Sequence, residues 1–112
     1  MSPRHEMRET LRQMVAVLQR ERQALAGLDL ETIMASAYDK QALCGRLDHG
    51  AALPSLDEEC RGLLDAARRM NEVNRQIRNL IAANVAARLD ALTGSPALYR
   101  VPPSYTYARG RA

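Results

Sequence analysis

From Ser55 to Leu92 the chain runs 38 residues without a proline and with a single glycine, Gly62. The stretch opens on Ser55-Leu56-Asp57-Glu58, the pattern of a capping box. There the Ser55 hydroxyl can accept from the Glu58 amide while the Glu58 carboxylate reaches back to the Ser55 amide. At about 1.5 Å per residue, a helix over 55–92 spans about 55 Å, more than the width of a compact domain of this size. Such a helix needs partners along its whole length.

Two upstream segments offer themselves. Met7, Leu11, Met14, Leu18 and Leu25 recur at alternating four- and three-residue steps, with the step near Glu21 and Arg22 left polar, and predict a helix over about 3–26. Gly27 interrupts the pattern and Asp29 can cap a fresh start at Leu30. A second helix over about 30–48 places Ile33, Ala37, Cys44 and Leu47 on one face, flanked by Met34 and Tyr38. Its stripe is out of phase with the first, so the break near Gly27 is real, as either a kink or a full reversal. His49 to Pro54 reads as a turn, and a connection this short makes its flanking helices antiparallel neighbours. Thr93-Gly94-Ser95-Pro96 stops the long helix.

The expected fold is all-α: an antiparallel three-helix coiled-coil-like bundle, or a long helical hairpin broken near Gly27. Residues 1–96 are expected to form one helical domain, with 97–112 an irregular, mobile tail. The composition agrees with thin helix-on-helix seams. Phe and Trp are absent and aromatics make up 4% of the chain, so the core is aliphatic.

The formal charge of +3 is unevenly placed. Residues 1–98 carry 13 basic and 13 acidic side chains, and the surplus comes from Arg100, Arg109 and Arg111. A neutral body argues against a nucleic-acid binder, which carries its basic stripe on the folded part. No run of about 20 apolar residues is present for a membrane span, and the charged start is unlike a signal peptide, so a cytoplasmic protein is expected. Cys44 and Cys60 fit a reducing compartment and are expected to be buried thiols. With His49 they offer three zinc-type ligands, but no fourth and no CxxC or HxxxH spacing, so no metal site is expected. No phosphate loop or evident nucleophile–base arrangement is present, and neither a cofactor nor an enzyme activity is expected.

The long helix carries a broad apolar stripe. Leu56, Leu63, Met70 and Ile77 form one row, Ala66, Val73 and Leu80 a second, and Cys60, Ala67 and Ile81 a third. Beyond Ile77 the apolar positions Ile81, Val85, Leu89 and Leu92 step mostly by four, so the stripe drifts around the helix. This face can pack on both other helices, or its terminal half can stay open for another protein's amphipathic helix. Asn71, Asn74, Asn79 and Asn84 each cost about half a kcal/mol relative to alanine in a helix interior. Asn74 and Asn84 fall on or beside the stripe, where a polar residue either fixes register against a partner or sits at the stripe's wet margin. Tyr99, Tyr105 and Tyr107 among the tail arginines suit a linear docking motif, with a frayed end as the alternative.

Several stretches together resemble the FlgN family of flagellar export chaperones: Leu28-Asp29-Leu30-Glu31 after Gly27, Asp39 to Leu43, Met70-Asn71-Glu72-Val73-Asn74-Arg75-Gln76-Ile77, and Tyr107-Ala108-Arg109-Gly110. The family's break reads Gly-Asp directly, whereas Leu28 intervenes here, and the tail is short and proline-rich. The resemblance implies a non-enzymatic cytoplasmic chaperone. It would bind the C-terminal helical segments of hook-associated junction proteins, prevent premature assembly and deliver them to the flagellar type III export machinery. By position, Asn71, Asn74, Ile77, Ile81 and Val85 become cargo contacts, and Tyr107 and Gly110 contacts to the export machinery. The competing expectation is a self-associating structural coiled coil, with the spare stripe buried in a homodimer.

Overall fold

A computed structural model describes residues 2–50 and 57–94, excluding the side chains at 49 and 50. The described residues form three helices and no strand: α1 (Pro3–Gly27), α2 (Leu30–Gly50) and α3 (Glu58–Thr93). The all-α expectation holds. The chain divides into two compact units, Met1–Ile77 and Arg78–Ala112.

In the first unit, Ser2 caps α1 by accepting from the His5 amide at 3.2 Å, with Pro3 at the first helical position. Gly27 is not the residue that ends α1. It remains helical, and the left-handed conformation falls on Leu28 at φ 54°. The Leu28 amide donates to the Leu25 carbonyl and the Asp29 amide to the Ala24 carbonyl, the paired bonds of a Schellman cap. Asp29 then caps α2 as expected: its carboxylate accepts from the Thr32 amide at 3.2 Å and the Thr32 hydroxyl at 2.7 Å. These bonds, the hydroxyl's foremost, hold the Asp29 carboxyl below its ordinary range.

The break is a full reversal. Gln13 meets Arg46, Arg20 meets Asp39 and Glu21 meets Lys40, so α2 runs antiparallel to α1. Arg8 pairs with Asp57, Arg12 with Glu59 and Leu18 with Asn74, so this part of α3 runs parallel to α1. The result is an up-down-up bundle. Its core has two clusters, Met14, Val17, Leu18, Leu43 and Ala67 in one and Met7, Leu11 and Cys60 in the other, with Leu47 packed against both.

Two local expectations are corrected. α3 begins at Glu58, so Glu58 cannot stand at the third position of a capping box. The cap is Asp57, whose Oδ1 accepts from the Cys60 amide at 2.8 Å, a bond that foremost lowers the Asp57 carboxyl pKa. Ser55 lies outside the described residues, as does the turn from Ala51 to Pro54. On α2, the inward positions are Ile33, Ser36, Lys40, Leu43 and Leu47, while Ala37 and Cys44 are exposed. Ser36 and Lys40 occupy stripe positions that an apolar pattern passes over. Cys44 is therefore a surface thiol, and only Cys60 is buried.

Candidate functional site

The polar gap at Glu21 in the α1 stripe is filled from the other two helices. Glu21 is 1% exposed, and its carboxylate accepts from the Lys40 ammonium of α2 at 3.1 Å and from the Asn74 amide of α3 at 2.9 Å. Asn74 also donates to the Leu18 carbonyl at 2.9 Å and accepts from Arg22 Nε at 2.8 Å. Both amide hydrogens and the oxygen are thus used inside the bundle. Lys40 also donates to Asn71 Oδ1 at 3.1 Å. A buried carboxylate is tolerated only with a cation and hydrogen bonds around it, and the knot supplies both.

This network changes the status of two expected cargo contacts. Asn74, at 0% exposure, lies in the core and is withdrawn from the surface set. Asn71 is exposed at the bundle's edge but is held by Lys40. The register role foreseen for asparagine is filled within the chain. Beside the knot, an open groove of about 390 Å³ is lined by Leu11, Met14, Leu18, Leu47 and Leu64, with Arg68 among its polar residues.

Ile77, the last residue of the first unit, is half-buried. The described part of the second unit is helical from Arg78 to Thr93 and then turns at Gly94. Within it Ile81 is half-buried, whereas Leu80, Val85, Leu89 and Leu92 are 70%, 50%, 41% and 83% exposed. Ile81, Val85, Leu89 and Leu92 recur every three to four residues and share one face; Leu80 points away from it, on the far side of the helix. Among the expected contacts, Val85 is open, Ile77 and Ile81 are partly covered, and Tyr107 and Gly110 lie outside the described residues. Leu80, Leu89 and Leu92 belong to the exposed apolar set although they were not singled out as contacts. Their spacing carried the signal, since they continue the rows that begin in the first unit's seam.

The titration pattern follows the structure. Burial raises the Cys60 thiol pKa, and the other resolved shifts arise from helix caps and surface pairs such as Glu72 with Arg75. Among the described residues, no three His, Cys, Asp or Glu side chains are grouped to hold a metal, and no helix is long and apolar enough to cross a membrane. What the site offers is apolar surface for association. No family model, no curated protein and no solved structure matches the chain.

Proposed function

We propose that this protein is a cytoplasmic, FlgN-like export chaperone that captures an amphipathic C-terminal helix of a hook-associated junction protein on the terminal part of α3. The observation that carries the reading is the exposure of Val85, Leu89 and Leu92 on one face of a short helical stretch. A stepped apolar row of this kind is the complement of an amphipathic helix, which docks through anchors at i, i+3, i+4 and i+7. Covering the row keeps an unassembled cargo helix from premature pairing, and release of a non-covalent contact needs no chemistry. The tail residues Tyr107 and Gly110 then serve contact with the export machinery.

The test is titration of the chain with the C-terminal helical segment of a hook-associated protein, using Val85→Asp and Leu89→Asp. Each change forfeits about 1.5–3 kcal/mol of apolar burial, so each weakens binding by about 10- to 150-fold. The first unit's urea midpoint and the far-UV helical signal remain. Unchanged affinity, or unfolding of the first unit in both variants, overturns the assignment of this face. Removal of residues 95–112 leaves cargo affinity intact and reduces capture by the export machinery.

A further inference from the structure

The groove beside the polar knot lies wholly within the first unit and plays no part in the proposed cargo face. Its floor is α1 from Leu11 to Leu18, and its walls are α2 from Lys40 to Leu47 and α3 from Leu64 to Asn71. In each helix the lining spans about two turns, or about 10 Å. Because α2 runs antiparallel to α1 and α3 parallel to it, Leu11, Leu47 and Leu64 come together at one end. Lys40 and Asn71 meet at the other, joined by their 3.1 Å bond. The groove is thus apolar at one end and polar at the other. The geometry points to a binding site for a small anionic amphipath: a single straight-chain carboxylate, its alkyl chain laid along α1 and its head at Asn71 and Arg68.

Width and charge select this occupant. Leu11, Met14 and Leu18 are only 1%, 6% and 1% exposed, although they floor a groove of about 390 Å³. A floor that water barely touches lies in a narrow cleft. A helix, about 10 Å across, would rest on its rims, whereas a polymethylene chain can sink between them. An extended alkyl chain advances about 1.3 Å per carbon, given C–C bonds near 1.5 Å, so about eight carbons fill the length. A few polar groups at one end of an apolar cleft are what orient a small ligand. Among the described residues, the lining holds two cations and no carboxylate. Lys40 is committed to Glu21 at 3.1 Å. Arg68 is exposed and makes no ion pair among the described residues. Asp65 and Glu72 flank it on α3 but do not line the groove, and Glu72 is held by Arg75 at 2.6 Å. Asn71, one turn beyond Arg68, accepts from Lys40 through Oδ1, which leaves its amide hydrogens to donate. A guanidinium and an amide so placed offer the N–H donors that a carboxylate accepts, while Lys40 balances the Glu21 charge beneath.

Calorimetric titration of the full chain with straight-chain carboxylates from butanoate to dodecanoate, each below its micelle threshold, tests the site. Affinity should rise about fourfold per added methylene up to about eight carbons, then level off as further carbons reach solvent. Octanoate should slow alkylation of Cys44 by neutral iodoacetamide in proportion to occupancy, because this exposed thiol lines the groove. Arg68→Gln should weaken octanoate by about three- to tenfold and leave octanol binding and the urea midpoint unchanged, since Arg68 is exposed. Phosphatidylglycerol vesicles should leave Cys44 alkylation unchanged, because paired chains held in a bilayer do not enter a cleft built for one. Octanoate that fails to protect Cys44 overturns the inference, as does octanol bound as tightly as octanoate or indifference to Arg68→Gln. Affinity that climbs steadily through dodecanoate marks adsorption on exposed apolar surface and overturns it too. Protection by vesicles but not by octanoate makes this face a membrane contact instead. Val85→Asp and Leu89→Asp should leave octanoate binding intact, so failure of the cargo titration and failure of this one are told apart.

Discussion

Replacing Lys40 with methionine removes the ammonium from a carboxylate whose side chain is 2% exposed, while the bond from Asn74 remains. Breaking one side of a buried pair typically costs 3–5 kcal/mol, chiefly because the surviving charge stays desolvated. The Lys40 side chain is itself 17% exposed, so water can partly take its place, and the expected loss is about 3 kcal/mol. For a domain held by about 5–15 kcal/mol, that is a large fraction. Asn74→Ala removes three hydrogen bonds, two of them to charged groups, and is expected to cost about 3–4 kcal/mol. The decisive variant removes the buried members together, as Glu21→Leu, Lys40→Met and Asn74→Leu. Arg22 and Asn71 then lose partners but already face solvent. The triple variant should lie within about 1 kcal/mol of the native chain or exceed it by up to about 4. Urea titration with a constant m-value measures all three. A Lys40→Met loss below about 1 kcal/mol would refute the reasoning, as would a triple variant less stable than Lys40→Met alone.

Exchanging the residues at the α1 end, as Gly27→Leu with Leu28→Gly, should stabilise the bundle by about 1–2 kcal/mol in urea. The exchange moves glycine to the left-handed position and a helix former into the last turn, where a Cβ at Gly27 meets nothing within 4 Å. Asp29 and Asp57 have folded pKa values lowered by the helix amides and hydroxyl they accept from, so their contribution is present above the ordinary carboxylate pKa and lost as pH falls through the folded one. Acid titration of stability should flatten at its low-pH end when both are replaced by asparagine. Ellman's reagent should modify Cys44 at once, and Cys60 at the rate of bundle opening, because Cys60 is 2% exposed and burial raises its thiol pKa. Ala83→Gly with Ala87→Gly should cost about 2 kcal/mol of helix stability in the terminal stretch, seen as lost amide protection there, with the first unit's midpoint unchanged.

Helix number, order and approximate limits were legible because apolar periodicity and the Gly27–Asp29 punctuation are local signals. The errors have a common physical source. Glu21, Lys40 and Asn74 each break an apolar pattern when taken alone, and each marks a gap or a wet margin. In the bundle the three anomalies meet, and one resolves another. Their mutual contact depends on how α1, α2 and α3 are aligned, and no single helix's periodicity encodes that alignment. The same blindness rotated the apparent inner face of α2 from Leu43 towards Cys44. The α3 cap was misplaced for a different reason. Ser55 and Asp57 are both competent caps, and the Arg8–Asp57 pair helps hold the second at the start of the helix. At α1's end, a glycine one residue early made the break visible but left kink and reversal undivided, and hid that Leu28 takes the left-handed conformation.

The burial of Asn74 also sharpens where a partner could dock. An amide with three internal bonds cannot be offered to another protein without first being withdrawn from Glu21, Leu18 and Arg22, so a usable face must lie elsewhere on α3. From Arg78 onward the helix has the opposite character. Its large apolar side chains are substantially exposed, and between them stand Ala82, Ala83, Ala86, Ala87 and Ala91. Short helices draw most of their stability from tertiary packing, and alanine is the residue that needs it least. An alanine-rich stretch can therefore keep helical shape while leaving Val85, Leu89 and Leu92 to solvent. Prior order lowers the entropy lost on association, so the stretch can gain affinity from those few anchors. Alanine's small side chain also lets a second helix approach closely between them. The two parts of α3 thus solve different problems with different residues: a satisfied polar knot fixes one register in the bundle, and intrinsic helix propensity holds an apolar row in readiness.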